Sequence, residues 1–252
     1  MKRGKVIVIT SGKGGTGKTV TSINLAAALH SLEKDVVLVD ANLTTPNVSL
    51  HLGAPVVPTT LNHVLRKTKK INQAVYEHHS GLKVVPSSIA IDALKKIKPE
   101  NLKYAIKDLK KITDLVVLDS AAGLGKEALS AIKEADDLIV VTNPEMPAVT
   151  DALKTIKIAE KLRKNVTGVI ITRRKGKKEM KIKNVSYILE KPIIGVVPED
   201  SSVSESILLR DILVNVKPRS KAAKSYRKIA SRLVGEKPIE PKGFFSKLFG
   251  KR

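Results

Sequence analysis

Near the start of the chain, Gly12 to Thr19 follows the spacing G-x-x-x-x-G-K-T without departure, within Ser11-Gly12-Lys13-Gly14-Gly15-Thr16-Gly17-Lys18-Thr19. Val6 to Thr10, just before it, are strand formers, and a helical pattern runs from Val20 to Leu32. A glycine-rich loop between a strand and a helix is the context a phosphate-binding loop needs. Glycines let consecutive backbone N–H groups turn inward onto phosphate oxygens. The helix behind adds unpaired N–H groups and the positive end of its dipole. In that arrangement Lys18 neutralises the terminal phosphates and the Thr19 hydroxyl ligates Mg²⁺. A chance glycine-rich turn would require strand, spacing and helix to coincide by accident.

The rest of the chain suits such a loop. Apolar runs of strand type recur at Val36–Asp40, Leu82–Pro86, Leu115–Asp119, Leu138–Thr142, Val166–Ile171 and Ile193–Val197. Helical patterns fill Pro99–Lys111, Lys126–Glu134, Ala148–Arg163, Val203–Leu209 and Lys221–Leu233. Unbroken apolar strands alternating with helices predict an α/β fold: one domain, residues 1–234, with a mostly parallel sheet covered on both faces. Ligands of such sheets gather at the carboxyl ends of strands. Asp40 and Asp119 each close a run of four apolar residues. Asp119 there can hold a water on Mg²⁺, and Gly123 beyond it can offer an N–H to a terminal phosphate. The alternative for Asp119 is a turn or helix cap.

There is no cysteine among the 252 residues, which removes disulfides, thiolate metal sites and iron–sulfur ligation. With no run of transmembrane length and no leader-like start, the expected location is cytoplasmic. A formal net charge of +22 favours anionic partners: nucleotide, nucleic acid or an acidic membrane face. It also fits a lysine-rich surface habit. The basic run Arg173-Arg174-Lys175-Gly176-Lys177-Lys178 reads as a solvated loop, with contact to an acidic partner or polynucleotide as the alternative.

Lys13, directly after the first glycine, gives Lys-Gly-Gly-Thr-Gly-Lys-Thr, and here the chain resembles the deviant Walker A (MinD/ParA) family of P-loop ATPases. The likeness is sharpest to the MinD branch and spans essentially the whole chain. Asp40-Ala41-Asn42-Leu43-Thr44-Thr45-Pro46-Asn47 is similar to the family's first switch. Asp119-Ser120-Ala121-Ala122-Gly123 is similar to the second, with Ala121 where a proline is usual. Thr142-Asn143-Pro144-Glu145 and Val197-Pro198-Glu199-Asp200 also match. The resemblance implies an ATP hydrolase using ATP and Mg²⁺. It implies adenine beside Pro198, Glu199 and Asp200, and a dimer in which Lys13 reaches the partner's nucleotide. No guanine-reading Asn-Lys-x-Asp motif is present. One departure stands out: the family's first switch reads Asp-x-Asp, and its second Asp positions the attacking water, where this chain has Asn42. An amide cannot accept a proton, yet phosphoryl transfer leans on positioning and charge neutralisation. The expectation is a slow ATPase.

The end of the chain is built differently. Residues 235–241 read as a linker with two prolines. Residues 242–252 follow, and hold all three phenylalanines of the chain. On a helical wheel Phe244, Phe245, Leu248 and Phe249 share one arc, and Lys247 falls on the other. A short basic helix with a phenylalanine face behind a linker has the form of an interfacial membrane anchor; a helix docked on the body is the alternative. This segment also resembles the membrane-targeting tail of the MinD branch. Two weak anchors on one ATP-held dimer would bind an anionic membrane far better than one. The leading expectation is therefore a membrane-associated ATPase of spatial organisation, such as division-site placement, answering to an unidentified regulatory protein. A ParA-like ATPase riding nonspecifically on DNA and a non-hydrolysing ATP-dependent scaffold are the alternatives.

Overall fold

The computed structural model describes residues 4–176 and 178–237. Its strands are β1 (Lys5–Thr10), β2 (Val36–Ala41), β3 (Tyr76–Glu77), β4 (Lys83–Val85), β5 (Leu115–Ser120), β6 (Asp137–Thr142), β7 (Val166–Arg174) and β8 (Ile193–Pro198). They form one sheet in the order β3-β4-β2-β5-β1-β6-β7-β8. Pairing is parallel from β4 to β8, and only the β3–β4 pair is antiparallel. The helices are α1 (Lys18–Ser31), α2 (Val48–His51), α3 (Leu61–Leu65), α4 (Leu102–Ile112), α5 (Lys126–Glu134), α6 (Met146–Lys161), α7 (Ile182–Leu189), α8 (Ser201–Leu208), α9 (Leu213–Val216) and α10 (Lys221–Val234).

The pleat sends alternate side chains to opposite faces. Val6 and Val8 pack with Val37, Val39, Val116 and Leu118 in one layer, beneath α3 to α7. Ile7 and Ile9 join Val36, Leu38, Leu115 and Val117 in the other, beneath α1, α9 and α10. Both faces are covered, which is why the strands read as continuous apolar runs. Helix α1 is buried on nearly every side from Thr21 to Leu29, wedged between the sheet and α10. A helix in that position has no need of a polar stripe. Ser220 opens α10 by accepting from Ala223 N–H (3.1 Å). Gly235 closes it at φ 71°, where a side chain would be strained.

Two differences from the expected elements stand out. Pro99–Asn101 is a 3₁₀ turn, and the α-helix begins only at Leu102. Strand β7 runs on through Arg173 and Arg174, because Arg174 pairs with Pro198 of β8. The basic run is thus part strand, and Glu179 neutralises its first half. Its carboxylate accepts from Arg174 Nη1 (2.8 Å), Lys175 N–H (2.9 Å) and Gly176 N–H (3.2 Å). Lys177, the linker from Pro238 onward and the whole phenylalanine-bearing segment lie outside the described residues.

Candidate functional site

The loop Ser11–Gly17 leaves the carboxyl end of β1, next to β5 and one strand from β2. Register sets Asp119 beside Ile9 on one side and Asp40 on the other. The phosphate loop and both acidic strand ends therefore meet at the carboxyl ends of three central strands. Gly12 is needed for space: a Cβ there would lie 2.2 Å from the backbone of Asp151 in α6. Gly17 caps α1 at φ 85°, which favours glycine. Beside Gly14 and Gly15 a Cβ would meet nothing within 4 Å, so the mouth of the loop is open.

Asp119 is the hub. Its Oδ1 lies 3.4 Å from Lys18 Nζ and accepts from Ser22 Oγ at 2.9 Å. Its Oδ2 accepts from Thr19 Oγ1 at 2.7 Å. All these groups lie on the first turns of α1 or the end of β5. Ser22 carried no signal in the sequence, since only its position one turn after Lys18 brings it here.

Asp40 is equally buried but faces another way. Its Oδ1 accepts from Asn42 N–H, and Oδ2 from Asn47 and Val48 N–H, each at 3.1 Å. The loop between β2 and α2 is folded around this carboxylate. Burial, then the charge of Asp119, push its pKa up to about 8, against the pull of the Val48 and Asn42 N–H groups. Asn42 turns inward on the same loop. Its Nδ2 donates to Thr45 C=O (2.5 Å) and its Oδ1 accepts from Thr45 Oγ1 (3.1 Å). Glu127, at the start of α5, grips the loop from outside. It accepts from Leu43 N–H (3.0 Å), Thr44 N–H (3.2 Å) and Thr44 Oγ1 (2.5 Å). This clasp joins the two segments that follow Asp40 and Asp119, and sequence reasoning missed it.

The remaining candidates fall around this centre. Gly123 N–H donates to Ser11 C=O at 2.9 Å, docking the second segment on the phosphate loop. Thr172 Oγ1 donates to Thr16 C=O (2.5 Å) and accepts from Asn143 Nδ2 (3.0 Å), so Thr142–Glu145 braces the loop through β7. Lys13 points to the rim, 3.8 Å from Glu145, and is about a third exposed (36%). Glu199 N–H donates to Arg174 C=O (3.0 Å). The Asp200 carboxylate is occupied by two helix starts, Ser202 N–H in α8 and Ala222 N–H in α10, both 3.0 Å. Burial opposes its ionisation, but those N–H groups hold its pKa below the ordinary range.

These residues fit a nucleotide triphosphate tail with a hard cation. The loop mouth is open, an ammonium and a carboxylate stand at its base, and Thr19 supplies the oxygen donor that Mg²⁺ takes. Thr16 Oγ1 is buried there without a hydrogen-bond partner among the described residues.

Comparison with known proteins agrees with this geometry. The model of the CobQ/CobB/MinD/ParA nucleotide-binding domain matches residues 7–213. The chain is 40% identical to an uncharacterised ATP-binding protein of Methanocaldococcus jannaschii, over 98% of this chain and 97% of that one. It is 33% identical to the cell division ATPase MinD of Pyrococcus furiosus, with a TM-score of 0.88 over 92% of this chain and 99% of that one. The septum site-determining protein MinD of Pyrococcus horikoshii, solved with Mg-ADP, is also 33% identical, with a TM-score of 0.87 over 91% and 95%.

Proposed function

The chain belongs to the CobQ/CobB/MinD/ParA nucleotide-binding family, and on that premise we propose that it is a MinD-like ATPase whose ATP-held dimer grips a membrane and lets go after hydrolysis. The observation that carries this reading is the division of labour between two lysines of one loop. Lys18 is buried against Asp119, while Lys13 stands at the rim, 3.8 Å from the exposed Glu145. The first serves its own chain's phosphates. The second is placed to reach a nucleotide held by a facing copy.

Bound Mg²⁺·ATP supplies the scissile phosphoanhydride and the metal's charge. The backbone N–H groups of Gly14 to Lys18 bind the phosphates, and Lys18 offsets their charge. Thr19 and Asp119 would hold the cation. The Gly123 N–H, donated here to Ser11 C=O, would be the donor available to the terminal phosphate. Asn42 positions water without taking its proton, which makes turnover slow. Pro198 and Glu199 border the base, with Asp200 setting the shape of that segment. The anchor is residues 242–252, through Phe244, Phe245, Leu248 and Phe249, with Lys247 toward anionic headgroups. Paired in a dimer, two anchors outlast one on the surface. On this reading the chain works at the inner face of the cell membrane, in division-site placement or a similar positioning task, under a regulatory protein partner.

Size-exclusion chromatography and sedimentation with anionic vesicles, each in ATP and in ADP, test the coupling. Expected are a dimer and vesicle binding in ATP alone, with both lost in Lys13→Ala and vesicle binding alone lost on removal of residues 243–252. Equal vesicle binding in ADP and ATP would defeat the reading.

A second reading, nonspecific DNA binding by the ATP dimer, draws on a groove of about 1090 Å³ beside α4, lined by Lys67, Lys69, Lys70 and Lys111. Salt-dependent DNA binding that survives removal of residues 243–252 would favour it.

A further inference from the structure

Strand β3 at the sheet edge leads directly into His78 and His79, and Asp211 lies in the link between α8 and α9. Folding brings these distant segments together. His79 Nε2 is 3.2 Å from Asp211 Oδ2, and His78 Nε2 is 3.9 Å from Asp211 Oδ1. One ligand atom from each of the three residues lies within 4.8 Å of the other two. Two imidazoles and a carboxylate at such separations can surround a single small cation.

A second observation points the same way. The His78 side chain is only 8% exposed, and its Nε2 is buried with no hydrogen-bond partner among the described residues while facing Asp211. Buried polar atoms are ordinarily satisfied, so an orphan aimed into a cluster of donors needs an occupant. Its other ring nitrogen, Nδ1, is 2.9 Å from Ser80 Oγ.

We propose that His78 Nε2, His79 Nε2 and the Asp211 carboxylate bind a divalent transition-metal ion, with Zn²⁺ the best match. Imidazole nitrogens suit Zn²⁺ and are poor ligands for Mg²⁺, which keeps this site separate in chemistry from the phosphate loop. Three protein ligands leave a fourth position to solvent. His79, 69% exposed, gives the ion its way in. The surrounding contacts orient the ligands. Asp211 Oδ1 accepts from Ile212 N–H at 2.6 Å. With metal on Nε2, His78 Nδ1–H donates to the Ser80 hydroxyl, and the longer contact from Ser80 N–H (3.3 Å) gives way. The bound ion staples the β3–β4 edge hairpin to the α8–α9 link. Because only folding brings Asp211 to the two imidazoles, the ion binds the folded chain more tightly than the unfolded one and raises thermal stability.

Titration of the tag-free full-length chain with ZnCl₂, in excess Mg²⁺, is the test. Expected are one Zn²⁺ per chain, a rise in Tm on adding Zn²⁺, and an intense visible absorption band when Co²⁺ is substituted. His79→Ala removes an exposed side chain, and Asp211→Asn keeps an acceptor for Ile212 N–H, so both variants retain the fold. Each should weaken Zn²⁺ by at least about tenfold, the loss that even an outer-shell partner's removal brings. Each should also abolish the Tm rise while leaving nucleotide affinity unchanged. Binding well below one Zn²⁺ per chain, or an affinity that both variants leave intact, overturns the proposal.

Discussion

Asp119 and Asp40 stand at the same height on adjoining strands, both wholly buried, each after a similar apolar run. Their partners differ in kind. Asp119 is met by side chains: the Lys18 ammonium and the hydroxyls of Thr19 and Ser22. Asp40 is met by backbone, the N–H groups of Asn42, Asn47 and Val48. Side chains can change partner when a ligand arrives, by rotation about a few bonds. Backbone N–H groups cannot do so without refolding the loop. The first carboxylate is therefore equipped for exchange and the second for holding a shape. A carboxylate at a strand end does not declare its task; the path of the chain after it decides.

The largest expected effect breaks the exchanging side. Asp119→Ala leaves the Lys18 ammonium, 8% exposed, without its nearest counter-charge. The loss in urea denaturation should be about 3 kcal/mol or more. A loss below about 1 kcal/mol would mean that Asp40 takes over the ammonium, and the two carboxylates would then be interchangeable. Asp40→Ala should cost less, about 1–3 kcal/mol, because the freed loop can turn its N–H groups to water. Its signature is local: hydrogen exchange should speed up at Asn42, Asn47 and Val48 and stay slow in α1. Faster exchange spread through α1 would show that Asp40 supports the phosphate loop as well.

Asn42→Asp sharpens the contrast by adding a third carboxylate two residues beyond Asp40. The amide now donates to Thr45 C=O; a carboxylate would repel that oxygen and release the loop. Steady-state phosphate release should rise roughly tenfold, short of the hundredfold or more of a full general base, since phosphoryl transfer leans on positioning. An unchanged or lower rate would count against Asn42 as the brake.

The sheet was legible because its strands are buried on both faces and the phosphate loop fixes which strand comes first. Helix α5 could be read residue for residue, since an amphipathic period marks it. Short α2 and α3, and the two-residue β3, carry no period. Helix α2 begins where Asp40 collects Asn47 and Val48 N–H, an event set by a strand eight residues upstream of Val48. The phosphate loop, Asp40 and Asp119 could be read from spacing. Glu127 could not: it meets Leu43 and Thr44 from more than eighty residues away, and nothing nearby distinguishes it from any glutamate in a first helical turn. The same holds for His78 and Asp211, which only the fold brings together.

The last test is one of pH, and it asks how firmly backbone N–H groups hold a charge. In the nucleotide-free protein Asp40 carries a pKa of about 8, raised from an ordinary 3.8, with burial the main cause and Asp119 the next. Between those values the folded chain keeps a proton that the unfolded chain has released. Stability then falls as pH rises, because the unfolded state binds fewer protons. The contribution of Asp40 is fully present below about pH 4 and is lost as pH climbs toward 8. Asp40→Asn cannot titrate, so its stability relative to the parent should improve steadily across that window in urea denaturation. Parallel curves for the two proteins would show that the three N–H groups keep Asp40 ionised. Burial and the Asp119 charge would then be the weaker influences, and the frame around Asp40 an anion cradle like the phosphate loop itself.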